Sequence, residues 1–184
     1  MVKTVAHAQW FDHVNGVHPP PGIRHWLTDR ASLTAKLVRG SRRFRVQRLK
    51  QRRGLCLADE FAYIELPGRR MVQEREVLLE RDGEPMVFAH TIVPLHATAS
   101  DWPFFNTLGE RSLGTSLFSD PLILRGTLQF ARLRARHPLV RRAADAVGAD
   151  RLGYPLFARR SLFRRKRGIM LVTEVFLPAV HALR

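Results

Sequence analysis

Glu174 stands in the middle of GIMLVTEVFLPA, residues 168–179, a run so rich in branched and aromatic side chains that it reads as a strand covered on both faces. A carboxylate in such a strand is costly unless it is paired, hydrogen-bonded or protonated. Strand alternation puts it on one face with Met170, Val172 and Phe176. In residues 73–81, alternation separates Glu74, Glu76, Leu78 and Glu80, expected to face solvent, from Gln73, Arg75, Val77, Leu79 and Arg81. Arg75 therefore points inward with Val77 and Leu79, where it needs an anion. In the next β-prone run His90 alternates with Met86, Phe88 and Ile92. A planar arginine fork, a carboxylate and an imidazole on inward faces could line a pocket that binds an anion and exchanges a proton with it. The same pattern fits a structural role, with Arg75 and Glu174 paired to each other and His90 a satisfied core histidine. A phase error of one residue would reverse the faces.

Other chemistries lack their residues. The eight histidines form no HExxH pair, Cys56 is the single cysteine, and no GxSxG nucleophile motif occurs. Neither a metal nor a cofactor is expected, and a disulfide within the chain is excluded.

The elements that must carry these residues follow from periodicity. After Pro19, Pro20 and Pro21, the spacing of Ile23, Trp26, Leu27, Leu33 and Leu37 predicts a helical region with a break at Ser32. RFRVQRLKQ from residue 43 alternates, and FAYIEL (61–66) reads as a short strand. Two β-prone runs flank Asp82-Gly83, a pair suited to a tight hairpin. ERSLGTSLF (110–118) predicts a short helix opened by Ser112, TLQFARLRAR (127–136) a strand, and PLVRRAADAVG (138–148) a helix bounded by Pro138 and Gly148. YPLFARRSLFRR and IMLVTEVFLP form a second hairpin around RKRG. Successive hairpins with short helices between them predict an α+β fold, an antiparallel sheet with helices to one side.

With 184 residues, 45% of them hydrophobic, the chain suits one domain, set here at 22–184 behind an N-terminal extension, 1–21. No signal peptide or membrane span is apparent, so a cytoplasmic location, no stable membrane insertion and a monomer are expected. The net charge of +15 comes from 31 Lys and Arg against 16 Asp and Glu. The basic residues are dispersed and accompany no nucleic-acid motif, so nucleic acid is not expected as a partner. Such a field also gathers small dianions.

REVLLERDGEP (75–85) with TIVP, LGERSLGTSLF (108–118), LVTEVFLPA (171–179) and DRASLTAKL (29–37) together resemble the chorismate lyase family, in order and spacing, over roughly residues 10 to 180. The resemblance implies an antiparallel sheet with helical flaps over a buried pocket. It implies conversion of chorismate to 4-hydroxybenzoate and pyruvate in ubiquinone biosynthesis; an aromatic product held by the same socket is expected to inhibit. Arg75 would hold the ring carboxylate, Glu174 would face the hydroxyl or ether-oxygen end, and Leu33 and Leu113 would make backbone contacts. Each of these leucines follows a serine suited to cap a helix, so its N–H belongs to an anion-receiving first turn. His90 stands where the family usually has arginine, which would weaken a secondary role in anion passage. The rival reading is a ligand-sensing module of the same fold. Such regulators carry an upstream winged-helix domain, and the roughly twenty residues before the first helix argue against that expectation.

Overall fold

The computed structural model describes residues 7–183. Seven antiparallel strands form one sheet: β1 (Trp10–Phe11), β2 (Phe44–Leu55), β3 (Met71–Arg81), β4 (Glu84–Pro94), β5 (Ile123–Leu133), β6 (Leu156–Arg165) and β7 (Gly168–Phe176), in the order β1-β5-β6-β7-β4-β3-β2. Four helices accompany it: α1 (Pro21–Thr28), α2 (Leu33–Val38), α3 (Leu113–Ser119) and α4 (Pro138–Val147). The α+β class expected from the sequence is present.

Local chemistry accounts for the main joints. Asp82 and Gly83 have φ of 54° and 86°, the paired positive values of a tight hairpin. Asp82 Oδ1 also accepts hydrogen bonds from the backbone N–H groups of Arg42 and Arg43, both at 2.8 Å, tying the start of β2 to the turn. Ser32 separates α1 from α2 and accepts from the Ala35 N–H. Pro138 opens α4, and Gly148, at φ 91°, closes it.

Two expectations are corrected. FAYIEL is a turn: Tyr63 and Ile64 N–H both bond back to the Glu60 carbonyl, and Ile64 is buried against Ile92 and Leu171. Local bonds satisfy the backbone there in place of a sheet partner. The helices also cover both faces. α1 and α2 pack with Val77, Leu79, Ala89, Phe157 and Phe176, whereas α4 buries Leu139, Val140 and Ala143 on the far face against Leu78, Phe88, Ala158 and Val175. The segment set apart as an extension contributes β1, paired with β5, and buries Val14 and Val17 in the core.

The sheet register places two rows across its centre. Arg75, Thr91, Val172 and Ser161 are successive partners across β3, β4, β7 and β6. The neighbouring row is Val77, Ala89, Glu174 and Arg159. Cross-strand partners share a face, so all eight look the same way.

Candidate active site

Both rows form the floor of a pocket roofed by α2 and α3. The roof brings Leu33 and Leu113 to the same cavity as Arg75 and Glu174. Apolar walls from Val46, Val77, Leu117 and Val172 separate the polar groups. A largely apolar cavity with a few convergent charges suits a small amphiphilic ligand.

Arg75 is 2% exposed. Its Nη2 donates to the carbonyls of Gly109 and Arg111, at 3.1 and 3.0 Å, while its buried Nε–H has no partner among the described residues. Burial, and secondly the charge of Arg48, lowers its pKa to about 10. No carboxylate pairs with it among the described residues. A desolvated guanidinium with an unmade hydrogen bond is a standing demand for an anion.

Glu174 is satisfied differently. Its Oε2 accepts from Arg159 Nε at 2.5 Å, directly across the β6–β7 register. Arg159, 1% exposed, also donates to the carbonyls of Trp26 and Asp29, at 2.9 and 2.5 Å. It thereby ties the end of α1 to the acid. The pairing of Arg75 with Glu174 left open in the sequence is not made.

Leu33 and Leu113 open α2 and α3, as the serine positions predict. Ser112, however, makes no side-chain cap. Its Oγ lies 2.6 Å from Thr34 Oγ1, joining the two helices at their N-terminal ends. Gly114 permits that approach, since a Cβ there would lie 2.8 Å from Thr34 Oγ1.

His90 belongs to the far face, which corrects its placement in the pocket. Its alternation with Phe88 and Ile92 holds, but its cross-strand partner is Glu76, not Arg75. Its Nδ1 lies 3.1 Å from Glu76 and its Nε2 3.2 Å from Glu60. The supposedly solvated face is likewise corrected, because Glu74 and Glu76 are 3% and 4% exposed under α4. Lys50 meets Glu74 at 2.6 Å and Arg142 meets Glu76 at 2.5 Å. Although the donor atoms of Glu74, Glu76 and His90 lie within 4.8 Å of one another, basic side chains already occupy the carboxylates. Burial alone would lower the His90 pKa, yet Glu60 and then Glu76 raise it to about 9. Glu76, against its own burial, falls to about 2 through His90, Arg142 and Lys50.

Three polar pocket residues escaped the sequence reading. Arg159 and Ser161 alternate with Phe157 and Phe163, so the test that found Arg75 would have found them. Arg125 could not be found so. It precedes Thr127, where the strand was begun, and a register shift between Arg125 and Leu128 redirects it. Its Nε donates to Ser161 Oγ at 3.1 Å and its Nη1 to the Arg30 carbonyl at 2.7 Å. Burial, then the charge of Arg159, lowers its pKa to about 10, against the opposing pull of Glu174.

The family model described as Chorismate lyase matches residues 4–183. A probable chorismate pyruvate-lyase of Cupriavidus pinatubonensis is 49% identical, covering 86% of this chain and 82% of the relative. One of Ralstonia nicotianae is 47% identical, covering 90% and 88%. Among solved structures, the C-terminal domain of the histidine utilization repressor from Pseudomonas syringae superposes with a TM-score of 0.55 at 10% identity, covering 77% of this chain and 96% of that one. PhnF from Mycobacterium smegmatis gives 0.54 at 18% identity, covering 83% and 66%. At such identities these two likenesses concern the fold alone. No helix among the described residues is long and apolar enough to cross a membrane.

Proposed function

The chain belongs to the chorismate lyase family, and from that premise we propose that it is a chorismate pyruvate-lyase, releasing 4-hydroxybenzoate and pyruvate. The observation that carries this reading is the unpartnered Arg75 Nε–H, buried in the same pocket as Glu174, with apolar wall between them. A ring bearing a carboxylate at one end and a hydroxyl at the other fits that polarity.

In the reaction, the bond between ring carbon C3 and the enolpyruvyl oxygen breaks and C4 loses its hydrogen as a proton. The electron pair of that C–H bond completes the aromatic ring. The C–O pair leaves on enolpyruvate, which takes up a proton to become pyruvate. Aromatisation drives the step, so the protein has mainly to position the substrate and balance charge. Arg75 holds the ring carboxylate, joined by first-turn N–H groups at Leu33 and Leu113. Glu174, aimed by Arg159, accepts from the C4 hydroxyl and exchanges a proton at that end. No metal or cofactor takes part.

The net charge of +15 draws the dianionic substrate inward. Because 4-hydroxybenzoate keeps the carboxylate and hydroxyl, it occupies the same socket and inhibits. We place the reaction at the supply of 4-hydroxybenzoate for ubiquinone, in the cytoplasm, carried out by a monomer.

The buried Arg75 in an apolar pocket also fits a second reading, a sensor that binds a small aromatic anion without converting it. Incubation of the purified protein with chorismate separates the two. Pyruvate and 4-hydroxybenzoate formed in equal amounts support the lyase, whereas binding without turnover supports the sensor.

A further inference from the structure

The pocket contains three arginines and one carboxylate. Arg159 is neutralised by Glu174, but neither Arg75 nor Arg125 has a carboxylate within ion-pair distance among the described residues. The cavity thus keeps two positive charges, one more than a benzoate-type anion needs. Arg75 is buried and Arg125 half-buried; a partly desolvated charge without a carboxylate partner is costly, so the second one requires its own account.

Arg125 is built to face inward. The register shift after it, at a point where Gly126 lies against the Leu162 backbone, turns its side chain from the β5 ladder toward Ser161. The Ser161 hydroxyl and the Arg30 carbonyl fix the guanidinium, and Phe118 and Phe163 rings lie 5.5 Å from its Cζ. Ser161 is the last member of the row that begins with Arg75. Three strand spacings, about 14 Å of backbone, separate those two positions, and both side chains reach inward from them. Glu174 lies in the adjoining row between them. The two unpaired arginines thus flank the acid.

We propose that Arg125 receives the second carboxylate of the substrate, the one on the enolpyruvyl arm, while Arg75 holds the carboxylate on the ring. This deepens the lyase reading and rests on it for the identity of the ligand. With the ring carboxylate on Arg75 and the C4 hydroxyl at Glu174, the ether arm at C3 leaves the ring beside Glu174. There the free Arg125 edge can take its carboxylate. Arg125 then distinguishes substrate from product, which lacks that group. It also meets charge developing on the departing enolpyruvate.

The test compares two stable ligands with the wild-type protein by calorimetry. One is 3-(carboxymethoxy)-4-hydroxybenzoate, which carries the second carboxylate, and the other is 3-methoxy-4-hydroxybenzoate, which does not. The dicarboxylate is expected to bind about tenfold more tightly, the worth of one charge-assisted contact. Arg125→Gln should abolish that preference and leave 4-hydroxybenzoate affinity unchanged. Arg125→Lys, which keeps the charge and loses the fork, should retain part of the preference and serves if the glutamine variant does not fold. Equal affinity of the two ligands for wild type, or a preference that persists undiminished in Arg125→Gln or, should that variant not fold, in Arg125→Lys, overturns the assignment of Arg125. Chorismate left unconverted while the preference is intact would overturn the lyase reading instead.

Discussion

Arg75 and Glu174 line one pocket without pairing to each other: Arg75 gives its Nη2 to two carbonyls, and Glu174 receives Arg159 at 2.5 Å. A mutual ion pair would have left no charge for a ligand. Instead Arg75 retains a buried, unmade hydrogen bond, and the acid is oriented from the opposite side.

Arg75→Met should weaken 4-hydroxybenzoate binding by roughly a hundredfold, as expected when the charged partner of a buried carboxylate is removed. Calorimetric titration reads this directly. Unchanged affinity would mean that the carboxylate binds elsewhere.

Arg159→Met should destabilise the fold by about 3–5 kcal/mol, because a single deletion leaves Glu174 unpaired and strips a donor from the carbonyls of Trp26 and Asp29. The Arg159→Met/Glu174→Gln double variant should recover part of that loss. Urea denaturation measures both. Equal stability of the two variants would show that the ion pair contributes little.

These two arginines also mark how far the sequence can be read. Alternation sufficed to place Arg75 and Glu174 inward because each sits amid apolar side chains in an unbroken strand. For His90 it gave Phe88 and Ile92 correctly as neighbours but not Met86, which the register shift at Leu79/Glu80 leaves in the core under α1 and α2. It also gave the wrong face, since which face meets those helices is decided by pairing with Glu76, and that face is as apolar as its opposite. The assumption that helices cover one face made the error natural. α4 shields Glu74 and Glu76, whose basic partners come from β2 and α4, elements distant in sequence. Arg125 depends on a bulge, and the turn at 61–66 on bonds to Glu60. Neither has a hydrophobic period to betray it. The Ser32 cap, the start of α3 after Ser112 and the Asp82-Gly83 turn were legible because they depend on local sequence.

Stability should fall as pH rises from about 6.5 toward about 9. His90 has its folded pKa raised from 6.5 to about 9, with Glu60 and Glu76 prevailing over burial. Its contribution is complete below the unfolded value, and is lost as the folded form deprotonates. Lys50 and Arg142 also face the cluster through Glu74 and Glu76. His90→Gln should flatten the slope of the urea midpoint over this window. An unaltered slope would assign the effect to other groups.

Product should inhibit competitively. Added 4-hydroxybenzoate is expected to raise the apparent KM for chorismate while leaving the maximal rate unchanged, because in the proposed reading both ligands use Arg75 and Glu174. Initial rates at several product concentrations test this. Inhibition that chorismate cannot relieve would require a separate product site.

The most direct measurement of the central claim is turnover itself. Purified protein is incubated with chorismate, and 4-hydroxybenzoate and pyruvate are followed together, with Glu174→Ala as the comparison. The expected result is equimolar release well above the uncatalysed rate, sharply reduced in the variant. No release above the uncatalysed rate from folded wild-type protein that still binds 4-hydroxybenzoate would contradict the enzyme and leave a sensor.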